Sequence, residues 1–132
     1  MSKLSGEHKK LALRVAECIA KHWPHKEAVP YDIAVFVNTT ATYEFMTAIN
    51  DAVQDEMMES DKEWAAKMTD TKLRFVEKGG RWVVTVLIGN NVNEIKGFST
   101  SAVFADATFL ANRNFQTDVV VPLREMHIEV NQ

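Results

Sequence analysis

A chain of 132 residues that is 46% hydrophobic and 25% charged has the make-up of one globular domain over residues 1–132, not of a disordered or fibrous segment. Its formal charge of −3 disfavours direct nucleic-acid binding through a broadly basic surface and leaves room only for a local patch. The only cysteine, Cys18, excludes an internal disulfide and fits a reducing, cytoplasmic setting.

Ser2 or Ser5 caps a first helix that runs to about His22, with Leu4, Leu11, Val15, Cys18 and Ile19 recurring at three- and four-residue steps. Arg14 and Glu17 interrupt its apolar run, so neither a signal peptide nor a membrane span is expected. Pro24 stops this helix. Tyr31–Val37 reads as a strand with apolar residues on both faces: Ile33, Val35 and Val37 on one, Ala34 and Phe36 on the other. That pattern predicts a central or covered strand.

Asn38-Thr39-Thr40 offers caps for a helix over 42–59, whose apolar face carries Phe45, Met46, Ile49, Ala52, Val53 and Met57. Ser60-Asp61-Lys62-Glu63 resembles a capping box and predicts a short second helix carrying Trp64 and Met68 inward, or a continuation of the first. Residues 72–88 then read as a hairpin turning at Gly79-Gly80, with the apolar second arm as the buried strand of the sheet. Residues 92–98 form a weaker strand. Ser99-Thr100-Ser101 caps a helix over 102–111, although Phe104 and Phe109 fit an extended reading as well. Residues 115–121 and 126–130 read as closing strands, with Pro122 at an edge or bulge between them. The expected fold is α+β: an antiparallel sheet of four or five strands with helices packed on one face.

Charge is sorted along the chain. Residues 44–63 hold seven carboxylates against Lys62 alone, a net of −6, while residues 1–26 hold six cations against Glu7 and Glu17, a net of +4. The two helices either neutralise each other along a seam or leave an acidic docking face made of Asp51, Asp55, Glu56, Glu59, Asp61 and Glu63. The leading expectation is a non-enzymatic interaction module of inhibitor or adaptor type, of the sort phages and other mobile elements encode. It would dock on a basic protein or a nucleic-acid-binding protein. The alternative is a nucleotide-like ligand held between the sheet and loops by Arg74, Arg81, Trp82, Asn91, Arg113 and Asn114. Asparagines are also ordinary turn residues.

No catalytic signature is present. Asp55 with Glu59, and Glu59 with Glu63, have helical spacing but no apolar shielding that would raise a carboxyl pKa, and His127 alternates out of an apolar run. The glycines form neither a phosphate loop nor a dinucleotide fingerprint. Cys18, His22 and His25 lack a fourth zinc ligand, so no metal and no cofactor are expected. Edge strands that need cover allow homo-oligomers.

Overall fold

The strand that is apolar on both sides, Tyr31–Phe36 (β1), takes an inner place in the sheet, with parallel neighbours on each flank. The computed structural model describes residues 4–22, 31–56, 64–77, 83–90 and 100–132. The Gly79-Gly80 turn, the capping box at Ser60, the strand expected over 92–98 and the acidic helix beyond Glu56 lie outside these residues.

Helix α1 (Gly6–His22) precedes β1, and helix α2 (Thr42–Glu56) follows it. Then come β2 (Trp64–Met68), β3 (Lys72–Glu77), β4 (Val83–Gly89) and β5 (Ala102–Ala105). A helical tail of α3 (Ala107–Leu110), α4 (Arg113–Phe115), a π turn (Gln116–Val120) and α5 (Val121–Glu125) leads to β6 (Val130–Asn131). The six strands lie in the order β2-β3-β4-β1-β5-β6. β2, β3 and β4 pair antiparallel, whereas β1 pairs parallel with β4 and β5, and β5 with β6. The sheet is therefore mixed and six-stranded rather than antiparallel with four or five strands. The α+β class stands.

Helices cover both faces of the sheet, not one. On the first face, Leu11, Val15 and Ile19 of α1 and Phe45, Ile49 and Val53 of α2 pack on Ile33, Val35, Leu73, Phe75, Val84 and Val86. Full burial of each such side chain contributes on the order of 1.5–3 kcal/mol. On the second face, Phe115 and Val120 of the tail pack on Ala34, Phe36, Leu87, Val103 and Ala105. Tyr31, Ile33 and Val35 of β1 thus serve one core and Ala34 and Phe36 the other.

Three elements differ from the sequence expectations. Trp64–Met68 is a strand rather than the start of a helix, because its ladder with β3 overrides the helical preference of Ala65, Ala66 and Lys67. Ala102–Ala105 is a strand, and all four residues are buried. A short apolar run inside a parallel arrangement has no periodicity that separates it from a helix. Residues 115–121 are helical rather than extended, in a run that continues to Glu125, because Asn112 caps α4 by accepting from the Phe115 N–H at 3.1 Å and burial of Phe115 and Val120 outweighs the β preference of the valines.

Pro122 sits inside that helical run, not at a strand edge. It has no N–H, and in α register its ring meets the carbonyl of the residue four before it. The backbone widens here: the Val121 N–H reaches back five residues to the Gln116 carbonyl. The tail ends at His127, whose φ of 62° is left-handed. Its N–H bonds the Arg124 carbonyl at 3.0 Å and that of Ile128 the Leu123 carbonyl at 2.8 Å, the hydrogen-bond pair of a Schellman motif. Of the closing strand expected over 126–130 only Val130 lies in a strand, the two-residue β6. Among the described residues no helix is long and apolar enough to cross a membrane.

Candidate functional site

β1 and β5 are parallel neighbours, yet α2, which follows β1, lies on one face, and α3, which follows β5, leads into the tail on the other. Where successive helices part in this way a crevice opens outside the carboxyl ends of the strands, and open α/β sheets bind ligands there. Asp106, the residue after β5, stands at this point. Its N–H bonds the Phe36 carbonyl at the end of β1 at 3.0 Å.

Asp106 is 1% exposed, and its side chain is fully buried. Oδ1 accepts from the Phe109 N–H at 3.0 Å and so caps α3, and Oδ2 accepts from the Asn38 N–H at 2.8 Å. The third partner is His8, whose Nε2–H donates to Oδ2 at 3.0 Å. His8 is itself buried, in the first turn of α1, with its ring edge-on to Phe45 at 6.3 Å between centroids. Ser5 starts α1: its Oγ accepts from the His8 N–H at 3.1 Å and its carbonyl from that of Lys9 at 3.0 Å. The positive end of a 17-residue helix dipole therefore opens at the crevice. Across the strand ends, the Asn90 amide, with its nitrogen turned inward, donates to the Val37 and Thr39 carbonyls at 2.7 and 2.9 Å. It ties the exit of β4 to that of β1.

A cleft of about 390 Å³ lies against this network, lined by Glu7, Lys10, Leu11, Arg14, Asp106 and Gln132. Its volume falls in the range of small-ligand sites. Glu7, Lys10, Leu11 and Arg14 recur at steps of three and four, so one face of α1 supplies them all. Leu11 is buried and the two cations are exposed. Glu7, His8 and Asp106 each offer an atom within 4.8 Å of the others, with His8 Nε2 at 3.8 Å from Glu7 Oε1. Two ligands of one cation, each about 2.1 Å from it, stand no more than about 4.2 Å apart. The separations of His8 from Asp106 and from Glu7, 3.0 and 3.8 Å, lie within that reach. These three residues could hold a divalent cation only with the Nε2 proton of His8 displaced, and Lys10 and Arg14 could neutralise the anion it carries.

The residues singled out in the sequence lie elsewhere. Asp51, Asp55 and Glu56 are exposed on α2, and none forms an ion pair among the described residues; Glu59, Asp61 and Glu63 lie outside them. Arg74 is exposed on β3, while Arg113 and Asn114 are exposed on α4. None of the three lines the cleft. Arg81, Trp82 and Asn91 are outside the described residues. Cys18 is half-buried and its Sγ lies 3.6 Å from the Tyr31 hydroxyl; burial pushes its thiol pKa up, which the Tyr31 contact and Lys21 partly offset. It has the character of a core thiol. His127 is exposed.

Sequence reasoning passed over Glu7, His8, Lys10, Arg14 and Asp106. The signal for the first four was their helical spacing. Asp106 was hidden because a helix drawn over 102–111 puts it in mid-helix, whereas it is a strand-end residue and a cap. Comparison with protein-family models, with curated proteins and with solved structures finds no match.

Proposed function

We propose that this chain binds an anionic small ligand of nucleotide type, a phosphate group together with a divalent cation, in the crevice at the carboxyl ends of β1 and β5. The observation that carries this reading is Asp106: a carboxylate at the switch point, bonded to a buried histidine and bordering a cleft that also presents Lys10 and Arg14. Two backbone N–H groups fix its orientation, and His8 is its side-chain partner. The group Glu7, His8 and Asp106 suits a metal ion and the basic pair suits phosphate oxygens. Open space lies around Gly6 in the first turn of α1, where an approaching anion meets the helix N–H groups.

The test is thermal unfolding with a nucleoside triphosphate and Mg²⁺ together, with each alone, and with inorganic phosphate. A ligand at about 100 times its Kd stabilises by about 2.7 kcal/mol. We expect a shift with the pair that exceeds the sum of its parts and disappears in Lys10→Ala/Arg14→Ala. No shift across the panel, or one unchanged in that variant, would remove the reading.

A second reading rests on a separate surface. The exposed carboxylates Asp51, Asp55 and Glu56 of α2 carry no counter-charge among the described residues, and the last turn of α2 contains no basic residue. A neutralising seam with α1 would have consumed them. This face supports an interaction module that docks on a basic partner, with charge setting encounter rate and selectivity more than affinity.

A further inference from the structure

Among the described residues, the tail covers the second face of the sheet over β1, β5 and the end of β4, where Ala34, Phe36, Leu87, Val103 and Ala105 are buried beneath it. Among the described residues nothing packs on that face over β2 and β3, where Lys67, Lys72 and Arg74 are exposed. The register places Asp32, Thr85, Arg74 and Lys67 in one row across β1, β4, β3 and β2. Lys72 stands on the same face, two residues from Arg74 along β3. Lys67, Lys72 and Arg74 are all exposed, and none is ion-paired among the described residues. Lys67 and Arg74 are directly opposed cross-strand partners. Like charges in that position destabilise a sheet. The row's one carboxylate, Asp32, feels the field of Arg74 but sits beyond Thr85.

We propose that this open basic face docks the acidic face of α2 from a second copy of the chain. The inference rests on the reading of α2 as a docking face and names its partner. Charge complementarity carries it. Asp51 and Asp55 are one helical turn apart, about 6 Å along the axis, and Lys72 and Arg74 are two strand residues apart, about 6.6 Å. A helix laid on the sheet face brings the two spacings into step. One copy cannot satisfy both surfaces by itself, because α2 is packed on the opposite face of the sheet. The contact is therefore head-to-tail, and its repetition gives a ring if the rotation closes and a filament if it does not. A polyanionic nucleic acid fits the same face less well: it would meet Asp32 within the row and the repulsion of a chain with net charge −3.

Sedimentation velocity at low and at high salt tests this, with circular dichroism as the check on folding. The wild-type protein is expected to assemble with rising concentration at low salt and to dissociate at high salt. Lys67→Glu/Arg74→Glu and Asp51→Lys/Asp55→Lys are each expected to stay monomeric. Mixed together they regain assembly, since each variant then offers the surface that complements the other's. A monomeric wild-type protein, assembly that survives in both variants, or no recovery on mixing would overturn the proposal. So would a wild-type monomer that binds a labelled single-stranded oligonucleotide and loses it in Lys67→Glu/Arg74→Glu. If Asp51→Lys/Asp55→Lys abolishes assembly but Lys67→Glu/Arg74→Glu does not, this inference fails while α2 keeps its docking role.

Discussion

Asp106 and Asp32 show how differently two carboxylates of one sheet are treated. Asp106 is buried, but each of its oxygens accepts a backbone N–H and one also accepts from His8, so its burial is compensated by hydrogen bonds. Asp32 is only partly buried, and among the described residues no partner of that kind holds its side chain: burial raises its pKa above the ordinary 3.8, with Arg74 pulling only partly the other way. A raised folded-state pKa means that folding favours the neutral form. Its contribution is most favourable below the unfolded value and is lost as pH rises through the folded value. Asp32→Asn is therefore expected to raise the melting temperature at neutral pH and to give no gain at about pH 3, where the native side chain is protonated. Thermal melts at the two pH values check this, and a variant that melts at or below wild type at neutral pH contradicts it.

At the scale of elements, the helical tail is a segment whose local preferences point one way and whose surroundings decide the other. Val119-Val120-Val121 and Pro122 read as strand and edge, yet caps at both ends and the burial of Phe115 and Val120 make the segment helical. Its carboxyl end carries a residual strain. A non-glycine residue in left-handed backbone costs about 1–2 kcal/mol, and glycine gives back about half of the gain through its greater unfolded freedom. His127→Gly is thus expected to stabilise the protein by about 0.5–1 kcal/mol, and His127→Ala by much less. Urea unfolding of both variants tests the difference; equal effects would show that the left-handed turn is not held in solution.

The same competition explains what could be read from the sequence. The first helix, the start of the second, the two-faced strand β1 and the arms of the hairpin were legible, because their periodicity and their burial agree. The direction of β1 was not, since nothing in Tyr31–Phe36 distinguishes parallel from antiparallel neighbours. Ala102–Ala105 was too short to show a period, and misreading it hid Asp106. The candidate cleft is assembled from the two ends of the chain, α1 and the residue after β5, which no local spacing could bring together.

For the molecule as a whole, the arrangement that matters is a sheet whose two cores share its inner strands β4, β1 and β5. Phe36 of β1 meets Phe115 of the tail at 4.9 Å between ring centroids in an edge-on contact, and both meet Phe109, at 5.7 and 5.4 Å. This aromatic trio anchors the tail to the strand whose other face supports α1 and α2. The tail is consequently part of the cooperative structure, and Asp106 at its root links the crevice to it. Phe115→Ala removes a fully buried ring and leaves a cavity at that junction, a change that costs about 3–5 kcal/mol. Because β1 serves both cores, the loss is expected to lower the midpoint of a single unfolding transition followed by near-ultraviolet and far-ultraviolet dichroism alike. If the two signals separated, with the tail melting early and the sheet unfolding at the wild-type midpoint, the second core would be an appended cover rather than half of the fold, and the crevice would have lost one of its walls without the sheet registering it.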